Sequence, residues 1–344
     1  MLLEQDGAAG GGLPSAAAGT ARATDRPHLA RDVSGITAGL AAPGRRFWAL
    51  AAAVAALDGL GIVWAGLRVE PAGFLAAFGA VAALLAAALL CSAIREPKLR
   101  AMALASAYLI AVTTALAVLH VLAALPALPL ADDALARIET ILGFDGPAYL
   151  AFLAEHPDLA RGLALAYHSS GPQIGLVVIA LSACGRTARL WAFARLFTLA
   201  LAACILVSSV LPAAGTYAAA AVQSRPAGEM ETIGALWHLD ALRALRDGSF
   251  HTLALSEIRG LVTFPSFHAS LAVLTGWALM PVPVIGPLAL FLNGAIVVAA
   301  IGAGGHYLPD VIAGAALAFA LVFAHLAARR RASGHRASPV RATV

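Results

Sequence analysis

Two short segments carry the residues best suited to chemistry: Phe264-Pro265-Ser266-Phe267-His268 and, further along the chain, Gly305-His306-Tyr307-Leu308-Pro309-Asp310. His306 and Asp310 are four positions apart, so on a helix they share one face and the carboxylate can accept the imidazole N–H. That bond would fix the tautomer and leave the other ring nitrogen as a nucleophile or base. Pro265 and Ser266 form a helix-start signature, and free backbone N–H groups at a helix N-terminus together with a serine hydroxyl suit a phosphate. His268 follows directly inside that helix. Pro309 would break a helix interior but is tolerated in a first turn, so a second helix is expected to begin beside His306. A phosphoester needs a nucleophile, an acid for the departing oxygen and donors around the phosphoryl oxygens. Ser266, His268, His306 and Asp310 supply most of that set. Either segment alone reads as well as buried polar residues satisfying a neighbouring helix. Both motifs on one face favour a phosphoryl-transfer site.

The elements that must position these residues are membrane helices. The chain has 344 residues, of which 60% are hydrophobic and only 12% charged, with a mean hydropathy of +0.83, whereas about a quarter of residues are charged in soluble domains. A helix needs about 20 apolar residues to cross the hydrocarbon core. Eight stretches qualify, at approximately 47–67, 72–93, 101–125, 162–183, 190–212, 262–281, 286–304 and 307–328. The expected fold is therefore an all-α polytopic bundle with interfacial helices over one end, such as Ala134 to Phe144 and Gly234 to Arg246.

Basic residues mark cytoplasmic loops. Arg45 and Arg46 precede the first stretch, Arg95, Lys98 and Arg100 follow the second, Arg186 and Arg189 follow the fourth, and Arg329, Arg330, Arg331, Arg336 and Arg341 follow the eighth. With eight spans these clusters share one side, and the long acidic connection holding Asp132, Asp133, Glu139, Asp145, Glu155 and Asp158 lies on the other. Both termini are then cytoplasmic, and His268 and His306 meet at the outer, periplasmic face of a bacterial inner membrane. The net charge of +4 reflects this orientation rather than nucleic-acid binding, since the basic residues form no stripe with aromatics. Cys91, Cys184 and Cys204 fall in or beside apolar runs without metal-ligand spacing and read as small buried residues. No cofactor or metal is implied.

The two segments resemble the second and third signature motifs of the type-2 phosphatidic acid phosphatase superfamily, Pro-Ser-x-His and His-x-x-x-Asp. Their wording looks most like the branch containing inositol phosphorylceramide synthases (inositolphosphotransferases) and sphingomyelin synthases. Less specifically, the resemblance extends from about Leu128 to the end of the eighth stretch, including Ala166-Tyr167-His168-Ser169 and Leu211-Pro212-Ala213. It implies that His306 attacks phosphorus to form a phosphohistidine, that Asp310 orients it, that His268 protonates the leaving group and then deprotonates the acceptor, and that Ser266 holds a phosphoryl oxygen without metal. The superfamily's first motif, a lysine followed by Arg-Pro, is absent, for the single lysine, Lys98, falls on the cytoplasmic side. The inositolphosphotransferase branch shares such losses.

A phosphate still wants a cation. Arg246 and then Arg243 are the first candidates, with Arg259 and Arg225 behind, and each reads equally as a solvated or headgroup-facing charge. Tyr167 and His168 either line the site or pack as an aromatic edge; His156, His238 and His251 read as loop residues, and Asp58 has no evident partner. The expected organisation is a disordered arm over 1–44, three N-terminal spans over 45–127, a catalytic membrane domain over 128–328 and a basic tail over 329–344. The expected function is a metal-independent lipid phosphotransferase or phosphatase, with membrane lipids as partners and a phospholipid or polyprenyl phosphate as substrate. A metal-dependent hydrolase using His268, His306 and Asp310 as ligands, or a transporter, are the rival readings. The transporter would require an internal repeat that the sequence lacks.

Overall fold

The computed structural model describes residues 42–220, 237–258, 260–261 and 263–336. The expected disordered arm (all but its last three residues), Arg225, Arg259 and the end of the basic tail lie outside them. The chain forms α1 (Arg45–Ala65), β1 (Arg68–Glu70), α2 (Pro71–Ala93), α3 (Pro97–Ala124), α4 (Asp132–Ile141), α5 (Gly146–Glu155), α6 (Pro157–His168), α7 (Ser170–Ala183), α8 (Thr187–Val210), α9 (Thr216–Ala220), α10 (Trp237–Asp247), β2 (Thr252–Ala254), α11 (Phe267–Leu279), α12 (Ile285–Gly302) and α13 (Leu308–Arg336). Prolines open α2, α3 and α6, where their missing N–H costs nothing. The only strands among the described residues, β1 and β2, form a three-residue parallel pair at one end of the bundle.

The protein is an integral membrane helix bundle. Among the described residues α1, α2, α3, α8, α12 and α13 are long and apolar enough to cross a membrane. Large apolar side chains such as Leu60, Trp64, Phe78, Phe291 and Phe323 point outward, as lipid-facing residues do. Helices underlie all eight apolar stretches, with two departures. The fourth is broken into α6 and α7, bent by 47° at Ser169. The sixth is helical only over Phe267–Leu279, a rise of about 20 Å at 1.5 Å per residue. Such a short helix is tolerated because protein surrounds it: α11 packs against α7, α8, α12 and α13, and most of its residues are buried.

Between lipid-soaked helices close packing and polar contacts replace the hydrophobic driving force. The buried side of α11 is accordingly made of small residues, among them Ala269, Ser270, Ala272, Thr275, Gly276 and Ala278. Ser270 Oγ donates to the Gly314 carbonyl at 2.6 Å, tying α11 to α13. Thr275 donates to Asn293 Oδ1 and Asn293 Nδ2 donates to Gln173 Oε1, both at 2.7 Å, joining α11, α12 and α7. By contrast, α2 buries only Ala88.

The expected basic clusters gather at one end. Arg195 donates to the Pro43 carbonyl at 3.1 Å. Arg189 donates to Ala278 at the C-terminal end of α11, lies 4.3 Å from the Trp277 ring centroid, and is close to Arg186 and Arg329. The N-terminal end of α11, with His268, is therefore at the opposite end of the bundle.

Candidate active site

Four chain segments converge where α11 and α13 begin. Ser266 caps α11, its Oγ accepting from the Ala269 N–H at 3.3 Å, and its own N–H donates to the Asp310 carbonyl at 3.0 Å. A few residues into α13, Gly314 meets the Ser266 backbone, and a β-carbon there would collide with the Ser266 carbonyl. That glycine lets the two helix starts touch.

His306 lies in the turn before α13 rather than on the helix, so the helical i,i+4 geometry expected from its spacing does not bring it to Asp310. The turn does so instead. His306 Nδ1 is 3.4 Å from Asp310 Oδ2, an ion-pair distance longer than a well-made hydrogen bond. Asp310 Oδ2 also accepts the Tyr307 N–H at 3.0 Å. On the other side of the ring, Nε2 is 3.1 Å from Ser266 Oγ. Ser266 and Asp310 are 0% exposed and His306 2%, so bulk water has almost no access to this triad. Burial pushes the His306 imidazole down to about 4, with the Thr263 backbone drawing it partly back up. At neutral pH the ring is therefore uncharged and carries a free lone pair, as a nucleophile must.

His268 adjoins this triad and remains partly exposed. Its Nδ1 is 2.9 Å from the Tyr167 hydroxyl, and the two rings stack with centroids 4.3 Å apart. Gly304 sits between this pair and the triad: a β-carbon on it would lie 2.8 Å from both the His306 ring and the Tyr167 hydroxyl. His168, which follows Tyr167, is exposed and meets the Tyr167 ring edge-on. Arg246 and Arg243 are not in contact with the triad. Arg246 donates to the Leu128 carbonyl at 2.7 Å and lines a separate open recess with His120 and Ser208. Arg243 pairs with Asp240 at 3.2 Å on an exposed face.

The sequence reading missed the strap that holds the second motif. Asp132 and Glu139 stand on one face of α4, and both reach inward. Asp132 accepts from the Ala214 and Gly215 N–H groups at 2.9 and 2.8 Å and from the Tyr307 hydroxyl at 3.3 Å. Glu139, 5% exposed, accepts the Leu308 N–H at 2.8 Å and so satisfies the first residue of α13. Burial raises the Glu139 carboxyl above its usual range, against the pull of that N–H, and the nearby Asp310 and Asp145 raise it further. Two carboxylates seven positions apart on an amphipathic helix were the available signal. His238, expected in a loop, is instead buried on α10, with Nε2 2.9 Å from the Ala214 carbonyl.

The geometry is that of a buried imidazole with a carboxylate near Nδ1, a hydroxyl on Nε2 and a second imidazole nearby. Among the described residues no three His, Cys, Asp or Glu side chains converge to hold a metal ion. A comparison with family models matches residues 133–324 to the PAP2 superfamily. No curated protein and no solved structure matches the chain.

Proposed function

The chain belongs to the PAP2 superfamily, a phosphatase and phosphotransferase family, and on that premise we propose that it moves a phosphate-linked lipid headgroup through a phosphohistidine formed on His306. The observation that carries this reading is the placement of His306 Nε2 on Ser266 Oγ, with Asp310 behind Nδ1. In the proposed reaction Nε2 attacks phosphorus as the bond to the leaving oxygen breaks, and Asp310 stabilises the charge that develops on the ring. His268 gives its proton to the leaving oxygen. The acceptor then loses a proton to His268 as it displaces His306 from phosphorus.

Donors for the phosphoryl oxygens are proposed at the start of α11. Ser266 Oγ is one. The Phe267 and His268 N–H groups have no partner among the described residues and supply the positive end of the helix dipole. They take over part of the task of the missing Lys and Arg-Pro motif. In this proposal Arg246, Arg243 and the exposed His168 act on the headgroup at the approach to the site rather than at phosphorus.

A lipid hydroxyl is the proposed acceptor, as in an inositolphosphotransferase resembling inositol phosphorylceramide synthase. Near-complete burial of Ser266, His306 and Asp310 disfavours water and supports transfer. A phosphatidate or polyprenyl-diphosphate phosphatase is the alternative outcome. The site is proposed to face outward, because it lies at the bundle end opposite the basic clusters.

The test is turnover by purified protein in mixed micelles with EDTA. Phosphatidic acid and phosphatidylinositol are offered with and without ceramide or diacylglycerol, beside His306→Ala. A new phospholipid that forms only with acceptor, and is absent in the variant, supports the transferase. Free phosphate without acceptor dependence identifies the phosphatase instead. Inhibition by EDTA would overturn the metal-free mechanism.

A further inference from the structure

The bend between α6 and α7 places Tyr167 in the last turn of α6, directly over His268. A chain of polar contacts braces that bend. Ser169 Oγ donates to the Ala166 carbonyl at 2.6 Å, Gln173 Nε2 donates to Ser169 Oγ at 3.2 Å, and Asn293 of α12 donates to Gln173 Oε1 at 2.7 Å. A straight apolar helix would need none of these groups, and polar side chains at bilayer depth are costly unless they serve a purpose. The bend directs the phenol at one ring nitrogen of His268, and the 4.3 Å stacking leaves that ring little freedom to rotate.

We infer that Tyr167 is a positioning residue which holds the proton of His268 on Nδ1, leaving Nε2 as the only nitrogen that exchanges protons with the substrate. This rests on the acid and base role proposed above for His268. In the charged imidazolium, Nδ1–H donates to the Tyr167 oxygen and Nε2–H faces the leaving group. As the bond from phosphorus to the leaving oxygen breaks, the Nε2 proton passes to that oxygen. Nδ1–H stays with Tyr167, and the bare Nε2 lone pair is ready to take the acceptor's proton when the acceptor attacks and the bond from phosphorus to His306 breaks. A carboxylate in this position would hold His268 permanently charged and slow its return to a base. A neutral phenol can accept from Nδ1–H without that cost.

Leaving-group dependence in the first turnover separates this role from packing. Two lipid-like monoesters are compared: a decyl phosphate, whose alkoxide must be protonated as it leaves, and a decyl-substituted nitrophenyl phosphate, whose phenolate leaves without a proton. In His268→Ala, the alkyl ester should slow by about 100-fold or more, the usual range for loss of a general acid, while the nitrophenolate burst is nearly retained. In Tyr167→Phe, which keeps the stacked ring, the alkyl ester should slow on the order of 10-fold and the burst should again persist. The retained burst is itself the proof that the variant is folded. Equal loss on both esters in Tyr167→Phe, or no loss on either, overturns the role of Tyr167 while selective loss in His268→Ala leaves the acid reading standing. Loss without leaving-group selectivity in His268→Ala overturns both.

Discussion

The starts of α11 and α13 are built from similar local chemistry and put to different uses. Each has a proline at its threshold and a histidine within two residues of its first turn. At α13 the first N–H groups are taken by carboxylates: Tyr307 donates to Asp310 and Leu308 to Glu139. At α11 the cap is a neutral serine, and the N–H groups of Phe267 and His268 have no partner among the described residues. One helix start is electrostatically closed and adjoins His306, the proposed nucleophile; the other keeps N–H groups that could meet an anion. The lesson is that a helix N-terminus becomes an anion site only where the protein has not already satisfied it with its own carboxylates.

The largest expected effect comes from removing the carboxylate that closes α13 and that is proposed to orient His306. Asp310→Ala should lower kcat by on the order of 10³ to 10⁴, the scale seen when the orienting carboxylate of a histidine is lost. A rate within a few-fold of wild type would break the distinction between the two helix starts. Next comes Gly314, where the starts touch. Gly314→Ala should drive the Ser266 carbonyl away from α13 and destabilise the bundle by about 1 to 3 kcal/mol, as overpacking does, which a lowered Tm in detergent would register.

Glu139 sharpens the comparison because it closes α13 without touching His306. Glu139→Ala should cost about 1 to 3 kcal/mol for an unsatisfied buried N–H, read as a fall in Tm, with a smaller loss of kcat than Asp310→Ala. The pH dependence tests the buried nucleophile itself. With the His306 pKa at about 4, below the ordinary 6.5, the acid limb of kcat/KM that reports the nucleophile should lie near that lower value. Stability should fall as the pH drops from 6.5 to about 4, because the unfolded chain takes up this proton from 6.5 downward and the native protein only near 4. The smallest effect on kcat is expected at Arg243, whose exposed pairing with Asp240 should contribute less than about 1 kcal/mol; Arg243→Ala should leave kcat within about twofold, with any loss through its proposed headgroup role appearing in KM, judged by the same assay.

Much of the bundle was legible because a bilayer imposes length and apolarity on any helix that crosses it. The broken span was not, since α6 and α7 together have the hydropathy of one straight span. Pro172 cannot donate to the His168 carbonyl and so permits the break, but the bend is braced by hydrogen bonds from Ser169, Gln173 and Asn293, and the partner on α12 is 120 positions from Gln173. Within the site, Ser266, His306 and Asp310 could be singled out by residue type and motif, but the way they meet could not, since His306 approaches Asp310 from a turn and Ser266 lies 40 positions away. Asp132 and Glu139 were not legible, because their seven-residue spacing puts them on one helix face but, among six acids in one connection, does not say whether that face turns inward or to water.

By itself the sequence determined that this chain must live in a membrane, which helix ends carry the basic residues, and which two segments hold nucleophile-grade side chains at a helix start. These depend on composition, on local spacing and on the cost of charge in hydrocarbon. Only the tertiary structure decided which N–H groups are already satisfied, that His306 reaches Asp310 from a turn rather than along a helix, and that Tyr167 is the neighbour of His268. Those are contacts between segments far apart in the chain, and the energies that select them exist only once the helices have packed.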